Sequence, residues 1–343
     1  GGNAFDPAAA AAFALMVTDP ANTSVGGRAQ ILIRLQSGAT VAIDGATETP
    51  AGVPPLTGAD DDRTGYTTAA VPGAPAALER MVRRYGRLPF AAALNPAIAL
   101  AAGGFPVPER LAASMARARP ALGRNPGAAA LFLKPDGTAW AAGETFRQPI
   151  LANFLRQLAA EGSRALYAGA GAAAIAADVQ RGGGFITVAD LAQYRPQEGV
   201  IVRTTYRGAE VASAGGRAWG NTLTEMLNIL GQFPSPEGVP AAGDAELLAR
   251  IIAQALEDRP QQLGTLKPKL NGFPLDTLSS PGFAADRARR IRAAMGGGPA
   301  STSTSGSDHD TSHLSVMDAE GNAVALTMSI GPSFGTRVAS AEL

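Results

Sequence analysis

One stretch constrains this chain more than any other. Residues 296–308, containing Pro-Ala-Ser-Thr-Ser-Thr-Ser-Gly-Ser, form the only low-complexity segment, and that composition reads as a mobile tether running to about residue 310. Directly beyond it the texture changes. Residues 314–317 and 323–330 are strand-like runs, joined by the hairpin turn Asp318-Ala319-Glu320-Gly321-Asn322. A tether thus ends at a hydroxyl residue, Thr311, and a β-hairpin follows at once. Such a hydroxyl can attack the carbonyl of the residue before it, and backbone cleavage then frees the α-amine of the threonine. With a pKa of about 8, that amine is a fair base near neutrality. Nucleophile and base then belong to one residue. Local pattern alone still favours an ordinary Thr/Ser-rich turn.

Composition narrows the chemistry available there. The 343 residues include no cysteine, which removes disulfides, thiol nucleophiles and cysteine-based zinc sites. The two histidines, His309 and His313, stand four apart, so any histidine-dependent mechanism must use that one spot. They suit a metal only on a helix, and the segment reads as tether then strand, without the glutamate of H-E-x-x-H. Neither a metal nor a cofactor is expected. A threonine acting as its own base fits this shortage. Lys+Arg and Asp+Glu number 29 each, and the zero balance argues against a nucleic-acid surface or an anionic-membrane binder. No apolar run reaches the length of a membrane span. The 41 glycines and 25 prolines point to many turns within a folded protein.

Elsewhere helices alternate with short strands. Asp6-Pro7 reads as the N-cap and first residue of a helix through Val17. Residues 30–35 and 40–44 read as a hairpin, and 50–65 as a polar loop. Helices are expected at 76–85, 90–101, 147–161, 164–180 and 221–230. Thr187 to Asp190 resembles a capping box, and strands are expected at 200–206 and 210–213. Asp244 is expected to cap a helix that buries Leu247, Leu248, Ile251, Ile252, Ala255 and Leu256 on one face. Two short motifs fail their context. The G-x-G-x-x-A match at 169–174 follows a helix-like run instead of a strand. The G-x-S-x-G match at 331–335 has neither a helix nor a histidine after it, so it reads as a loop leaving a strand.

The long-range pattern reverses the local weighting at Thr311. Thr311-Ser312-His313-Leu314-Ser315-Val316-Met317-Asp318, with Gly321-Asn322-Ala323-Val324-Ala325-Leu326-Thr327, resembles the start of the small subunit of γ-glutamyltranspeptidases. Gly1-Gly2-Asn3-Ala4-Phe5-Asp6 is similar to the opening of that family. Tyr85-Gly86-Arg87-Leu88-Pro89, Gly183-Gly184-Phe185-Ile186-Thr187 and Leu227-Asn228-Ile229-Leu230 follow in the family's order. The resemblance implies an α+β fold, the four-layer αββα sandwich of N-terminal-nucleophile hydrolases. It implies a precursor cut between Asp310 and Thr311 into a large-subunit region, 1–310, and the start of a small subunit, 311–343. Thr311 would form an acyl-enzyme from a γ-glutamyl or related side-chain amide, resolved by water or an amine acceptor. Ser329 falls where the family has a hydroxyl that orients the α-amine of the nucleophile. The family is usually exported, which implies the periplasm or the cell exterior. The chain opens at Gly1 without Met or a signal peptide, so a leader removed or left out upstream is compatible with it.

Departures from the family bear on substrate. The family's arginine that clamps the α-carboxylate of the substrate corresponds to Ala46, and a methyl group forms no ion pair. Arg28 stands where the family is glycine-rich, and reads either as a replacement guanidinium or as a surface arginine. Gly331 stands where many members have a substrate-binding asparagine, and Ser213-Ala214-Gly215-Gly216 weakens a Ser-Ser-Gly-Gly feature. The family's small subunit is longer than 311–343, and continues through a serine pair and a glycine pair that bind substrate and form the oxyanion hole. Three readings follow: the sequence is partial, a companion segment exists, or the chain is a degenerate relative. The alternatives to a γ-glutamyl enzyme are therefore a related acylase and an inactive member with a binding or structural role.

Overall fold

The computed structural model describes residues 1–54, 64–234, 242–259, 275–295 and 311–340. The expected tether, with Asp308, His309 and Asp310, lies outside the described residues, as does part of the 50–65 loop. The chain divides into two compact units. The first holds Gly1–Ala39, Ile43–Gln197 and Ser307–Leu343, and the second Thr40–Ala42 and Glu198–Gly306.

The elements run α1 (Phe5–Thr18), β1 (Arg28–Arg34), β2 (Thr40–Gly45), α2 (Ala74–Tyr85), α3 (Phe90–Gly103), β3 (Phe105–Pro106), α4 (Glu109–Leu122), α5 (Pro126–Phe132) and β4 (Thr145–Phe146). Then come α6 (Pro149–Glu161), α7 (Arg164–Tyr167), α8 (Gly169–Arg181), α9 (Val188–Gln193), β5 (Gln197–Glu198), β6 (Ile201–Tyr206) and β7 (Ala209–Ala214). The rest are α10 (Gly220–Leu230), α11 (Ala242–Asp258), α12 (Leu275–Leu278), α13 (Pro281–Ala294), β8 (Ser312–Met317) and β9 (Ala323–Ser329).

The main sheet has the order β5-β2-β1-β9-β8, so the hairpin that follows Thr311 is built into it beside β1. Strand alternation sorts its side chains. Ala29, Ile31 and Ile33 of β1 and Val324, Leu326 and Met328 of β9 are buried on one face, and α1 packs on β8 and β9. Gln30, Leu32, Ala325 and Thr327 line the other face and are half-buried. Of the stacked sheets that the fold class implies, the described residues supply this one as the extended sheet; β3–β4 and β6–β7 are two-stranded.

The alanines of α1 let α3 pack closely on it, with Phe13 edge-on to Phe90 at 5.7 Å. Asp6 does not cap α1. The helix starts at Phe5, and its N-cap residue Ala4 gives its N–H to the carboxylate of Asp318 at 3.0 Å. Asp6 instead accepts from the backbone N–H of Asn3, Arg87 and Leu88, tying the helix start to the loop after α2. The single helix expected at 164–180 is two, α7 and α8. Ala168 is extended between them, and Gly169 takes φ +63°. Burial of Tyr167 accounts for the break: its hydroxyl donates to Pro72 O at 2.7 Å and its ring stacks on Tyr194.

The second unit packs α10 on the β6–β7 hairpin and against α11 and α13. Ile229, Leu247, Ile251, Ala284, Ala288 and Ile291 form its core. Asp244 lies within the first turn of α11, not at its cap. The expected apolar face of α11 is also corrected. Leu247, Ile251 and Ala255 are buried, whereas Leu248, Ile252 and Leu256, one residue further along and about 100° around the helix, are 44%, 44% and 41% exposed. The capping box at Thr187 and Asp190 is present, with both reciprocal hydrogen bonds.

Candidate active site

Register builds the site. β8 pairs antiparallel with β9, Ser312 opposite Met328, and β9 pairs with β1, Ser329 opposite Arg28. Thr311 precedes the paired strand, and continuing the same register by one residue would bring it opposite Ser329. Cross-strand neighbours share a face, so Thr311, Ser329 and Arg28 make one row at the end of the sheet, on the face away from α1. Thr311 is exposed and Ser329 is buried. Arg28 reaches solvent while its guanidinium is desolvated enough to lower its pKa from the ordinary value. It stays a cation, since arginine does not lose its proton in proteins.

Neighbouring residues fix this row. The Ser312 hydroxyl points to the opposite face and donates to Asp19 Oδ2 at 2.7 Å. Asn22 Nδ2 donates to the same carboxylate at 2.9 and 3.1 Å. The residue after Thr311 is thereby anchored to the end of α1. Ser329 Oγ accepts the Gly331 N–H at 3.0 Å, with Gly331 at φ +82°, a turn that favours glycine. Ile330 N donates to Asn22 O at 3.1 Å and Phe334 N to Ala21 O at 3.0 Å, so the 19–23 loop also holds the exit of β9. A Cβ on Gly27 would sit 2.8 Å from Ser329 O, which explains a glycine before Arg28.

The next row inward is polar. His313 Nδ1 lies 2.7 Å from Thr327 Oγ1, and Nε2 lies 3.1 Å from Ser315 Oγ. Gln30 Nε2 donates to Asp44 Oδ1 at 2.6 Å, and the Ala46 N–H donates to the same oxygen at 2.9 Å. Ala46 is buried, and its carbonyl accepts the Tyr194 hydroxyl at 2.8 Å. A small side chain fits there, and no charge enters.

The expected residues Thr311, Ser329, Arg28 and Gly331 thus come together at one sheet end, while Asp310 is outside the described residues. Ser213 to Gly216 belong to the second unit, where Gly216 N donates to Asn221 Oδ1 at 3.0 Å ahead of α10. Among the described residues no group of three or more His, Asp or Glu is placed to hold a metal ion. No described helix is long and apolar enough to cross a membrane. Sequence reading missed the Ser312–Asp19–Asn22 anchor. Nothing local links Asp19 to a strand almost three hundred residues later in the chain.

The arrangement presents an exposed hydroxyl on an anchored strand end, with a buried hydroxyl opposite and a cation beyond. Comparison with known proteins bears on its use. The model of the family described as Gamma-glutamyltranspeptidase matches residues 1–343. Glutathione hydrolase 2 of Arabidopsis thaliana is 33% identical over 98% of this chain and 59% of its own length. The Acylase ACY 1 proenzyme of Pseudomonas sp. (strain SE83) is 33% identical over 98% of this chain and 63% of its own length. The chain therefore spans about three-fifths of the curated relatives it matches. The crystal structure of Helicobacter pylori gamma-glutamyltranspeptidase superposes with a TM-score of 0.80 at 29% identity, covering 89% of this chain and 88% of that one.

Proposed function

The chain belongs to the γ-glutamyltranspeptidase family, and from that premise we propose that it is an N-terminal-nucleophile amidohydrolase or acyltransferase that cuts its own backbone between Asp310 and Thr311. The freed α-amine of Thr311 accepts the proton of its own hydroxyl as Oγ attacks an amide carbonyl. The Oγ–C bond forms, the C–N bond breaks, and the amine leaves with the proton. Water or an acceptor amine then attacks the ester and returns the Thr311 hydroxyl. The processed large and small subunits stay together as one enzyme, in the periplasm or outside the cell.

The β8–β9 register supports this reading, because continued one residue past the Ser312–Met328 pair it brings Thr311 opposite Ser329. Ser329 orients the α-amine, and Arg28 offers its cation to an acidic group of the substrate. The turn at Gly331 leaves open space beside the row: a Cβ built there meets nothing within 4 Å. The relatives named as glutathione hydrolases support a γ-glutamyl amide. A second reading, an acylase of different acyl specificity, rests on Ala46, whose methyl cannot clamp a carboxylate.

Hydrolysis of a γ-glutamyl anilide measured beside a glutaryl anilide tests both. The expected result is turnover of both compounds, falling about a thousandfold or more in Thr311→Ala. Strong preference for the γ-glutamyl compound that survives Arg28→Ala contradicts relaxed recognition at Ala46. Undiminished turnover by Thr311→Ala contradicts the nucleophile, and turnover of neither by processed protein favours a binding role.

A further inference from the structure

Asp19 stands where helix electrostatics disfavour it. It is the C-cap residue of α1, and a carboxylate there meets the negative end of the helix dipole. Its backbone is nevertheless fixed on both sides. The N–H donates to Leu15 O at 2.8 Å, and the carbonyl accepts Asn22 N at 3.0 Å and Thr23 N at 3.1 Å. The carboxylate so fixed accepts the Ser312 hydroxyl at 2.7 Å and the Asn22 amide at 2.9 and 3.1 Å. Asn22 and Ser312 are both buried, so water competes little for these bonds.

Asn22 extends the tie to a second strand, because its carbonyl accepts Ile330 N at 3.1 Å. The Asp19–Asn22 pair therefore holds Ser312, the residue after Thr311, and Ile330, the residue after Ser329. Among the described residues β8 is the edge of its sheet, with β9 on one side only. A strand end of that kind is the part of a sheet that frays most easily. The brace from the end of α1 supplies what a second neighbouring strand would supply. We propose that Asp19 and Asn22 are positioning residues, which fix Thr311 relative to Ser329 and so set the rates of self-cleavage and of amide hydrolysis. They act through those two residues, not on substrate. This rests on the N-terminal-nucleophile reading above. Misplacing a reacting group by about 1 Å can cost about a hundredfold in rate, so a brace remote from the substrate has leverage on kcat.

The test measures kcat and KM for the γ-glutamyl and glutaryl anilides, and the rate at which fragments appear by intact mass, in Asp19→Ala, Ser312→Ala, the double variant and Ser312→Thr. In each alanine variant kcat should fall about tenfold to a hundredfold with KM changed by less than about twofold, and self-cleavage should slow in parallel. The double variant should be no slower than the slower single one, because both changes break one bond. Ser312→Thr keeps the hydroxyl and should restore most of the rate. Asp6→Ala removes a carboxylate from the other end of α1, and should lower stability with kcat unchanged. That contrast separates positioning from general loosening. Wild-type rates in Ser312→Ala, losses that multiply in the double variant, or an equal loss of kcat in Asp6→Ala overturn the brace. The nucleophile is spared in those cases if Thr311→Ala is inactive in the same assays. An active Thr311→Ala, or wild-type protein that neither cuts itself nor hydrolyses either anilide, overturns nucleophile and brace together. Where processed protein turns over neither anilide, the cleavage rates decide the brace. Should Asp19→Ala not fold, Ser312→Ala and Ser312→Thr decide alone.

Discussion

Ser329 and Glu225 are both buried side chains with opposite consequences for their surroundings. Ser329 lies one residue beyond the last β8–β9 pair, where Thr311 is proposed to face it, and accepts the Gly331 N–H. A hydrogen bond to a charged group contributes about 1.5–3 kcal/mol. Ser329→Ala should therefore lower kcat about 10- to 100-fold with KM little changed, and Ser329→Thr should keep most of the rate. Steady-state kinetics check this, and a change confined to KM contradicts it. Glu225, in the second unit, is fully buried, and among the described residues no N–H or hydroxyl reaches its carboxyl oxygens. Burial first, then hydrogen bonding with Asp258, pushes its pKa up to about 9, while Arg287 opposes the rise. At neutral pH Glu225 is thus an acid that donates to Asp258, which also takes two hydrogen bonds of 2.7 Å from Arg287. An unfolded glutamate titrates at about 4.3. The stability that protonated Glu225 contributes is complete below that value and falls as pH rises towards about 9. Glu225→Gln should flatten this part of the stability profile. Thermal unfolding from pH 5 to 9 measures it, and an equally steep loss in the variant contradicts it.

At the scale of elements, the start of α1 shows what a local pattern omits. Asp6 followed by proline has the form of a cap, yet the cap is supplied by Asp318 from the β8–β9 turn. Asp6 is spent on the N–H groups of Asn3, Arg87 and Leu88, at 2.9 to 3.2 Å. Asp6→Ala should cost about 3 kcal/mol, because it leaves several backbone donors without an acceptor. Denaturant unfolding checks the value, and a loss under about 1 kcal/mol contradicts the role. Most elements were legible in the sequence because periodicity and caps are local, as at Thr187 and across β8 and β9. The break at Ala168 was not, since Tyr167 must reach Pro72 and Tyr194, partners set only by tertiary folding. The face of α11 was blurred for a different reason: its apolar residues come in adjacent pairs, and only packing decides which of each pair is buried.

For the whole molecule, the family pattern is spread along the chain, and that spread made the fold class readable where no single motif did. The site was half readable. Thr311 and Ser329 stand out by matching family positions, but that Arg28 shares their row follows from β1 pairing with β9 across almost the full chain length. The anchor from Ser312 to Asp19 follows from the same closure. The proposed chemistry requires Thr311 to become a chain terminus, since its α-amine is the base. Intact mass and N-terminal sequencing of the mature protein test this directly. Two associated fragments are predicted, the smaller beginning Thr311-Ser312-His313, with Thr311→Ala left as a single polypeptide. A mature, amide-hydrolysing protein that remains uncut, or a Thr311→Ala variant that is cut normally, contradicts it.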